Sequence, residues 1–339
     1  MFVRKPYRTE FLAQAMSRRT FMKAVAGFAL AGVGGGVAAC TSASALPLGI
    51  PLFSYTGHIH SVYAVAWSPD SLSIASGGED MTVQVWNALD GTHLSTYTHP
   101  NIVTAMTWSP DGTLLAAGGD DSQVHIWSIL TGKPIFILKN NGHVWGLQWS
   151  PDGRYLASGG DNTVSIWDIQ NGERQLTYGG HHGFVWDVGR SPDGKQIASA
   201  GADHTVQVWD ATSGRRSVTC LLHQNVVHGV DWSPDGNAIA SVGLDWMLFV
   251  WRPSDGREIF SGHHADDVYG VAWSPDGRYI ASSSRDRLVH IWDFSKKSRA
   301  ASYDGQAGPV FRTVWSPESQ RLASGYRDST VKVWKLPTR

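Results

Sequence analysis

The sequence has only two cysteines in 339 residues, Cys40 and Cys220, so no internal disulfide framework can carry its fold. Charge is also sparse: 17% of residues are charged, with 28 basic against 29 acidic side chains. Six of the basic and one of the acidic side chains lie before residue 40, so the remainder carries a net charge of −6 with His neutral. No basic stripe follows residue 40, which argues against a phosphate backbone as partner, and no nucleic acid is expected. Long apolar runs are missing as well. The stretch Ala24 to Ala39 spans 16 residues, short of the roughly 20 that a transmembrane helix needs. There is no G-x-S-x-G, P-loop, H-E-x-x-H or cysteine pair, so no catalytic residues are assigned and the chain does not read as an enzyme. No cofactor and no metal are expected either.

Tryptophan, by contrast, is abundant and ordered. Trp86, Trp127, Trp167, Trp209, Trp251, Trp292 and Trp334 recur every 40 to 42 residues, each six positions after an aspartate: Asp80, Asp121, Asp161, Asp203, Asp245, Asp286 and Asp328. Within each period an apolar run ends in a turn. Four turns read Trp-Ser-Pro-Asp-Gly in full, at 108–112, 149–153, 232–236 and 273–277. The others substitute Ser71 for Gly, Arg190 for Trp, and Glu318-Ser319 for Asp-Gly. Pro fixes φ and Gly accepts a left-handed backbone, so each motif is a tight hairpin turn. A second strand, a Gly-Gly or similar small pair, the aspartate, a third strand ending in Trp and a fourth strand complete the unit. Four short strands repeated with a period near forty predict an all-β, seven-bladed β-propeller of four-stranded antiparallel blades.

This pattern resembles the WD-repeat family over about residues 51 to 336. The resemblance implies a buried chain of His, Ser, Asp and Trp in each blade. Four units match it residue by residue: His58, Ser76, Asp80, Trp86; His181, Ser199, Asp203, Trp209; His223, Ser241, Asp245, Trp251; and His264, Ser282, Asp286, Trp292. The second unit keeps His99 but has Ala117 for serine, the third has Asn140 for histidine, and the seventh has Gln306. Those three blades are expected to be weaker. The segment Pro51 to Thr56 reads as a stray fourth strand that pairs with the last blade and leaves no open sheet edge. A monomeric ring is expected.

The N-terminus reads as an address. Ser17-Arg18-Arg19-Thr20-Phe21-Met22-Lys23 resembles the twin-arginine export signal of bacteria, with Arg18 and Arg19 as its pair and Met22 where that signal usually has Leu. The plain alternative is a basic amphipathic or disordered tail. Val37-Ala38-Ala39-Cys40 resembles a lipobox, with Cys40 as the lipidated residue, whereas Ala43-Ser44-Ala45 fits an ordinary cleavage site. The expected organisation is a signal peptide at 1–39, a tether at 40–50 and the propeller at 51–339. That places the protein outside the bacterial cytoplasmic membrane, lipid-anchored or free. Cys220 falls in a fourth strand and reads as a small buried hydrophobe.

In the WD-repeat family partners usually dock on the narrower top face, around the central channel. Carried onto this sequence, that face includes Tyr63, His143, Trp145, Phe184, Trp186, His228, Tyr269 and Phe311 near the starts of first strands. Glu79, Asp120, Arg285 and Arg327 stand just before the repeat aspartates. Clustered aromatics suit a binding surface, and the charges divide it into an acidic side at blades 1 and 2 and a basic side at blades 6 and 7. The competing explanation is that the aromatics plug the channel mouth while Arg327 pairs with Glu79. The function implied is a non-enzymatic platform for a protein or peptide. A small-ligand-binding propeller is the alternative, and a propeller hydrolase or lyase a more distant one. Among the fourteen histidines, His60, His143, His182, His204 and His228 stand outside the buried chains as candidate ligands, but no carboxylate or cysteine spacing supports a metal site.

Overall fold

A computed structural model of the chain describes residues 51–336. The export signal, the Cys40 lipidation site and the tether lie outside the described residues, as do residues 337–339. The described part contains 28 strands in seven four-stranded antiparallel sheets. The first strand, β1 (Pro51–Tyr55), is followed by a blade of β2 (Val62–Trp67), β3 (Ser73–Gly78), β4 (Thr82–Asn87) and β5 (His93–Thr98). Five further blades repeat that order over Val103–Lys139, Gly146–Tyr178, Val185–Cys220, Val227–His263 and Val268–Asp304. The seventh blade supplies three strands, Val310–Trp315, Arg321–Tyr326 and Val331–Lys335, and β1 pairs antiparallel with the last of them, Tyr55 opposite Val331. The first strand of each blade packs against that of the next, and the seventh returns to the first, so the ring is closed.

The turns explain the repeat locally. Gly112, Gly153, Gly194, Gly236 and Gly277 all adopt φ of 71 to 73°, and Ser71 and Ser319 take the same left-handed conformation at 63 and 60°. In six of the seven turns the opening serine donates its hydroxyl to the aspartate two residues on, as Ser191 does to Asp193 at 2.7 Å, and the seventh has Glu318 at that place. The tryptophan before the turn ties neighbouring blades together. Trp67, Trp108, Trp149 and Trp315 each donate Nε1–H to a backbone carbonyl of the preceding blade at 3.0 to 3.3 Å.

A second inter-blade contact was not expected. A residue at or next to the end of the fourth strand of one blade lies against the third-strand tryptophan of the next. Tyr55 stacks on Trp86 with centroids 4.7 Å apart, Tyr178 on Trp209 at 4.3 Å and Tyr303 on Trp334 at 5.1 Å. In blade 5 the corresponding residue is Gly262, where a Cβ would meet the Trp292 ring at 2.4 Å. Cys220 fills this place in blade 4, in one cluster with Trp251, and burial pushes its thiol up to about 11. Each apolar cluster therefore spans two blades, so sheets too thin to stand alone stabilise one another.

Inside blades 1, 4, 5 and 6 a polarised chain runs through the core. In blade 1, His58 Nδ1–H donates to Asp80 (2.8 Å), Ser76 Oγ–H donates to His58 Nε2 (2.8 Å), and Trp86 Nε1–H donates to Ser76 (3.0 Å). The same links join His181, Ser199, Asp203 and Trp209, then His223, Ser241, Asp245 and Trp251, then His264, Ser282, Asp286 and Trp292, all within 3.1 Å. Burial pushes these carboxyls up, but the histidine and backbone donors outweigh it and hold Asp80 and Asp286 at about 2. Such a depressed carboxyl stabilises the fold above its unfolded value and ceases to do so as pH falls through its folded one. Stability should therefore drop between about pH 4 and pH 2, by about 2 kcal/mol for each of these two aspartates. Urea titrations across that range will show the drop, and Asp80→Asn should make it shallower.

Blades 2, 3 and 7 lack the complete chain. In blade 3, Asn140 Oδ1 accepts from Ser158 Oγ–H at 2.9 Å, and Ser158 accepts from Trp167 at 2.8 Å, so asparagine carries half of histidine's role. In blade 7, Ser324 turns to Thr313 and the buried Trp334 Nε1–H finds no acceptor. Blade 2 is rearranged most, because the His99 Nε2 atom is buried without a partner.

Candidate functional site

At one end of the ring lie the turns between second and third strands and the loops that enter each blade. The first strands start here. The aromatics placed on this face by alignment form one continuous crescent. His143 lies 5.6 Å from Trp145, Trp145 4.6 Å from Trp186, and Trp186 4.3 Å from His228, measured between ring centroids. The series continues from His228 to Tyr269 (5.4 Å), Tyr269 to Phe311 (5.6 Å) and Phe311 to Tyr63 (4.8 Å). Phe184 caps Trp145 and Trp186 at 6.4 and 6.0 Å and is 37% exposed. Thr104 of blade 2, aligned with Tyr63, interrupts the ring. His143 and Trp145 belong to the loop before the first strand of blade 3, which starts only at Gly146, rather than to that strand.

The crescent is neither fully buried nor freely exposed. Tyr269 is buried, whereas Tyr63, Trp145, Trp186, His228 and Phe311 are half-buried. Trp145 and Trp186 hold their Nε1–H groups inside the stack with no acceptor in the protein, an arrangement that costs about 1–3 kcal/mol per group. Burial pushes the Tyr269 hydroxyl up to about 12 and the His228 imidazole down to about 4, so both are neutral near pH 7.

The charges around the crescent are more balanced than the alignment implied. Arg285 is neutralised by Asp267 at 3.4 Å and Asp266 at 3.8 Å, two carboxylates of its own blade. Arg327 is exposed and makes no ion pair within 4.0 Å among the described residues, so the pairing with Glu79 does not form. Burial raises Asp120 above the usual carboxylate range. His143 leans on Asp161 at 3.4 Å, and both are nearly half exposed.

Beneath the crescent the structure brings together residues that the sequence reading passed over. Arg312 of blade 7 reaches across the channel to Asp187 of blade 4 on the far side, Nη1 to Oδ2 at 3.0 Å. Asp187 also accepts from the Val230 backbone N–H, and Asp231 accepts from those of Trp232 (2.9 Å) and Trp273 (2.7 Å). Burial holds the Asp231 carboxyl up at about 7, with the Asp187 charge adding to the effect. A signal was present in the sequence. The residue one position after each inner aromatic position reads Ala64, Ala105, Gly146, Asp187, Gly229, Gly270 and Arg312: five small residues and one pair of opposite charges. The cavity beside this strut, lined by Trp145, Leu147, Thr104, Asp187 and Arg312, is about 20 Å³, space for roughly one water. A larger groove of about 590 Å³ lies at the other end of blades 1 and 2, between Pro69, Val85, Leu94, Trp108 and Ile129.

Of the five histidines singled out as candidate ligands, none joins a three-ligand group among the described residues. Two other groups do form, His99 with Asp121 and His125, and His264 with Asp286 and His290. His125 and His290 come from the middle of third strands, where only their alternation toward the blade interior marks them.

Two family models cover most of the ring. The WD domain, G-beta repeat model matches residues 49–87 and 91–128, and a model described as the IFT122 first beta-propeller matches residues 143–339.

Proposed function

The chain belongs to the WD-repeat β-propeller family, and on that premise we propose that it is a non-enzymatic interaction platform receiving a protein segment at the aromatic crescent. Propellers of this family generally bind protein partners. The observation that carries the reading is the crescent itself: six blades place contiguous rings at the channel mouth, with Phe184 standing out from them. The partner segment carries an apolar or aromatic anchor that covers Phe184 and the faces of Trp145 and Trp186. Carbonyl groups of that segment supply acceptors to the two unpaired indole N–H groups as the stack parts. The exposed Arg327 and the acidic pair Glu79 and Asp120 select mixed charge on either side of the anchor. The strut below holds the blade backbones in place while the aromatic side chains move, so little entropy is lost on binding.

Residues 46–339 serve as bait in native envelope extract beside a Trp145→Ala, Trp186→Ala variant. A protein captured by the first and lost with the second supports the reading, provided the variant melts within a few degrees of the parent. Capture of the same proteins by both baits refutes it. A small ligand is the second reading, and the groove beside Trp108 rather than the channel has the volume for it.

The N-terminal address belongs to the same proposal: Arg18 and Arg19 direct export of the folded ring, and Cys40 becomes its lipid anchor. A fatty-acid label incorporated by the wild type and absent from Cys40→Ala is expected. A label that survives the substitution rules the anchor out.

A further inference from the structure

Blade 2 departs from the other six in one respect: Ala117 stands where all of them carry serine (Ser76, Ser158, Ser199, Ser241, Ser282, Ser324). His99 consequently has no hydroxyl to receive. Its ring turns so that Nδ1 lies 2.8 Å from the Asn101 carbonyl oxygen, a contact that requires Nδ1 to carry the proton. The Asn101 backbone nitrogen is farther off, at 3.4 Å, and does not decide the tautomer. Nε2 is thus an unprotonated lone pair, buried and without a partner. A histidine that donates Nδ1–H to a carbonyl and presents a bare Nε2 is arranged as metal-ligating histidines are.

The other ligands are already beside it. Asp121 Oδ1 lies 4.0 Å from His99 Nε2, too long for a hydrogen bond, and Asp121 Oδ2 lies 2.7 Å from His125 Nε2. The donor atoms of all three residues fall within 4.8 Å of one another. An ion bound at about 2.0–2.2 Å to nitrogen and oxygen spaces its ligands by roughly 3.4 Å, between the two distances found. The two imidazoles meet at 68°, with centroids 4.6 Å apart, so their nitrogens can converge.

We propose that His99, Asp121 and His125 form a binding site for a divalent first-row transition metal of the zinc type, with a fourth position open to water. On binding, the Nε2 proton of His125 passes to Nδ1 and the ring stays neutral. The ion then links loop and strand in place of the missing serine.

Blade 6 shows why composition alone does not make such a site. His264, Asp286 and His290 have the same residue types, yet every ring nitrogen is taken. His264 contacts Asp286 and Ser282. His290 Nε2 accepts from Arg299 and its Nδ1–H donates to Ser302 Oγ, at 3.0 Å each, and the two rings stack in parallel at 4.0 Å.

The test uses the purified full chain, stripped with EDTA, checked for folding by circular dichroism, and titrated with cobalt(II) chloride and then zinc sulfate. One equivalent of cobalt is expected to bind with the visible absorption of a four-coordinate nitrogen and oxygen site, to be displaced by zinc, and to raise the melting temperature. His125→Gln should weaken binding on the order of 100-fold, since even loss of an outer-shell partner costs about 10–100-fold. Ala117→Ser, which gives His99 Nε2 the hydroxyl donor that the histidines of blades 1, 4, 5 and 6 have, should weaken it at least about tenfold without harming the fold. His290→Gln should leave it unchanged. Absence of cobalt and zinc binding by the folded wild type, or equal binding by wild type and Ala117→Ser, would overturn the proposal.

Discussion

Without residues 51–55 the ring will melt roughly 10 °C lower and will associate through its open edge. Strand β1 contributes four backbone pairings with the last strand of blade 7, and a side chain besides. Its Tyr55 is buried, stacks on Trp86 of blade 1, and donates its hydroxyl to Gln84 at 2.7 Å, so one side chain bridges the last blade to the first. Losing a buried aromatic of this size costs about 3–5 kcal/mol. At about 2–4 °C per kcal/mol for a domain of this length, that alone gives the expected shift. Deletion also bares the edge groups of Val331–Lys335, and an unpaired strand recruits further chains. Thermal melts with size-exclusion chromatography measure both effects. Tyr55→Ala should reproduce most of the melting shift without the added association, because its backbone pairing survives. An unchanged melting temperature in the truncated chain would mean that the ring does not depend on this closure.

Asp203→Ala will cost about 3–5 kcal/mol, whereas Asp161→Ala, at the same place one blade earlier, will cost at most about 1 kcal/mol. Asp203 accepts from His181 Nδ1, from the His182 backbone and from both Thr205 donors. Its removal leaves a fully buried histidine unpaired and breaks the chain through Ser199 to Trp209. Blade 3 has Asn140 in place of the buried histidine, and Asp161 instead accepts from the His143 backbone at 3.2 Å and meets its half-exposed ring at 3.4 Å, its own side chain 47% exposed. Denaturant melts of the two variants report the contrast. Equal losses would show that the histidine link contributes little.

The ring itself was legible because it is written seven times: a tryptophan, an aspartate and a turn recurring in register leave no other closed all-β arrangement. The closing role of Pro51–Tyr55 was legible by subtraction, since the last unit wants one strand. What escaped notice lies between blades. The stack of Tyr178 on Trp209 and the reach of Arg312 to Asp187 join positions 31 and 125 residues apart. No single repeat contains either contact, and only curvature into a ring brings them together. The top-face charges show the same limit from the other side. Arg285 looks free in an alignment, but Asp266 and Asp267 sit on the preceding loop of its own blade and neutralise it. In blade 2 the one signal was a missing atom. Alanine at position 117 reads as a weakened blade, and the consequence for His99 needs the direction of a ring that no sequence records.

The most direct measurement of the account is site-specific photocrosslinking in native cells, with a benzophenone amino acid at Phe184 or at Leu130. Phe184 stands on the crescent, while Leu130, 94% exposed, lies in a turn at the opposite end of blade 2. A discrete crosslinked protein is expected from position 184, lost when Trp145 and Trp186 are alanine, and none from position 130. Crosslinks from 130 alone, or from 184 regardless of the two tryptophans, would contradict it.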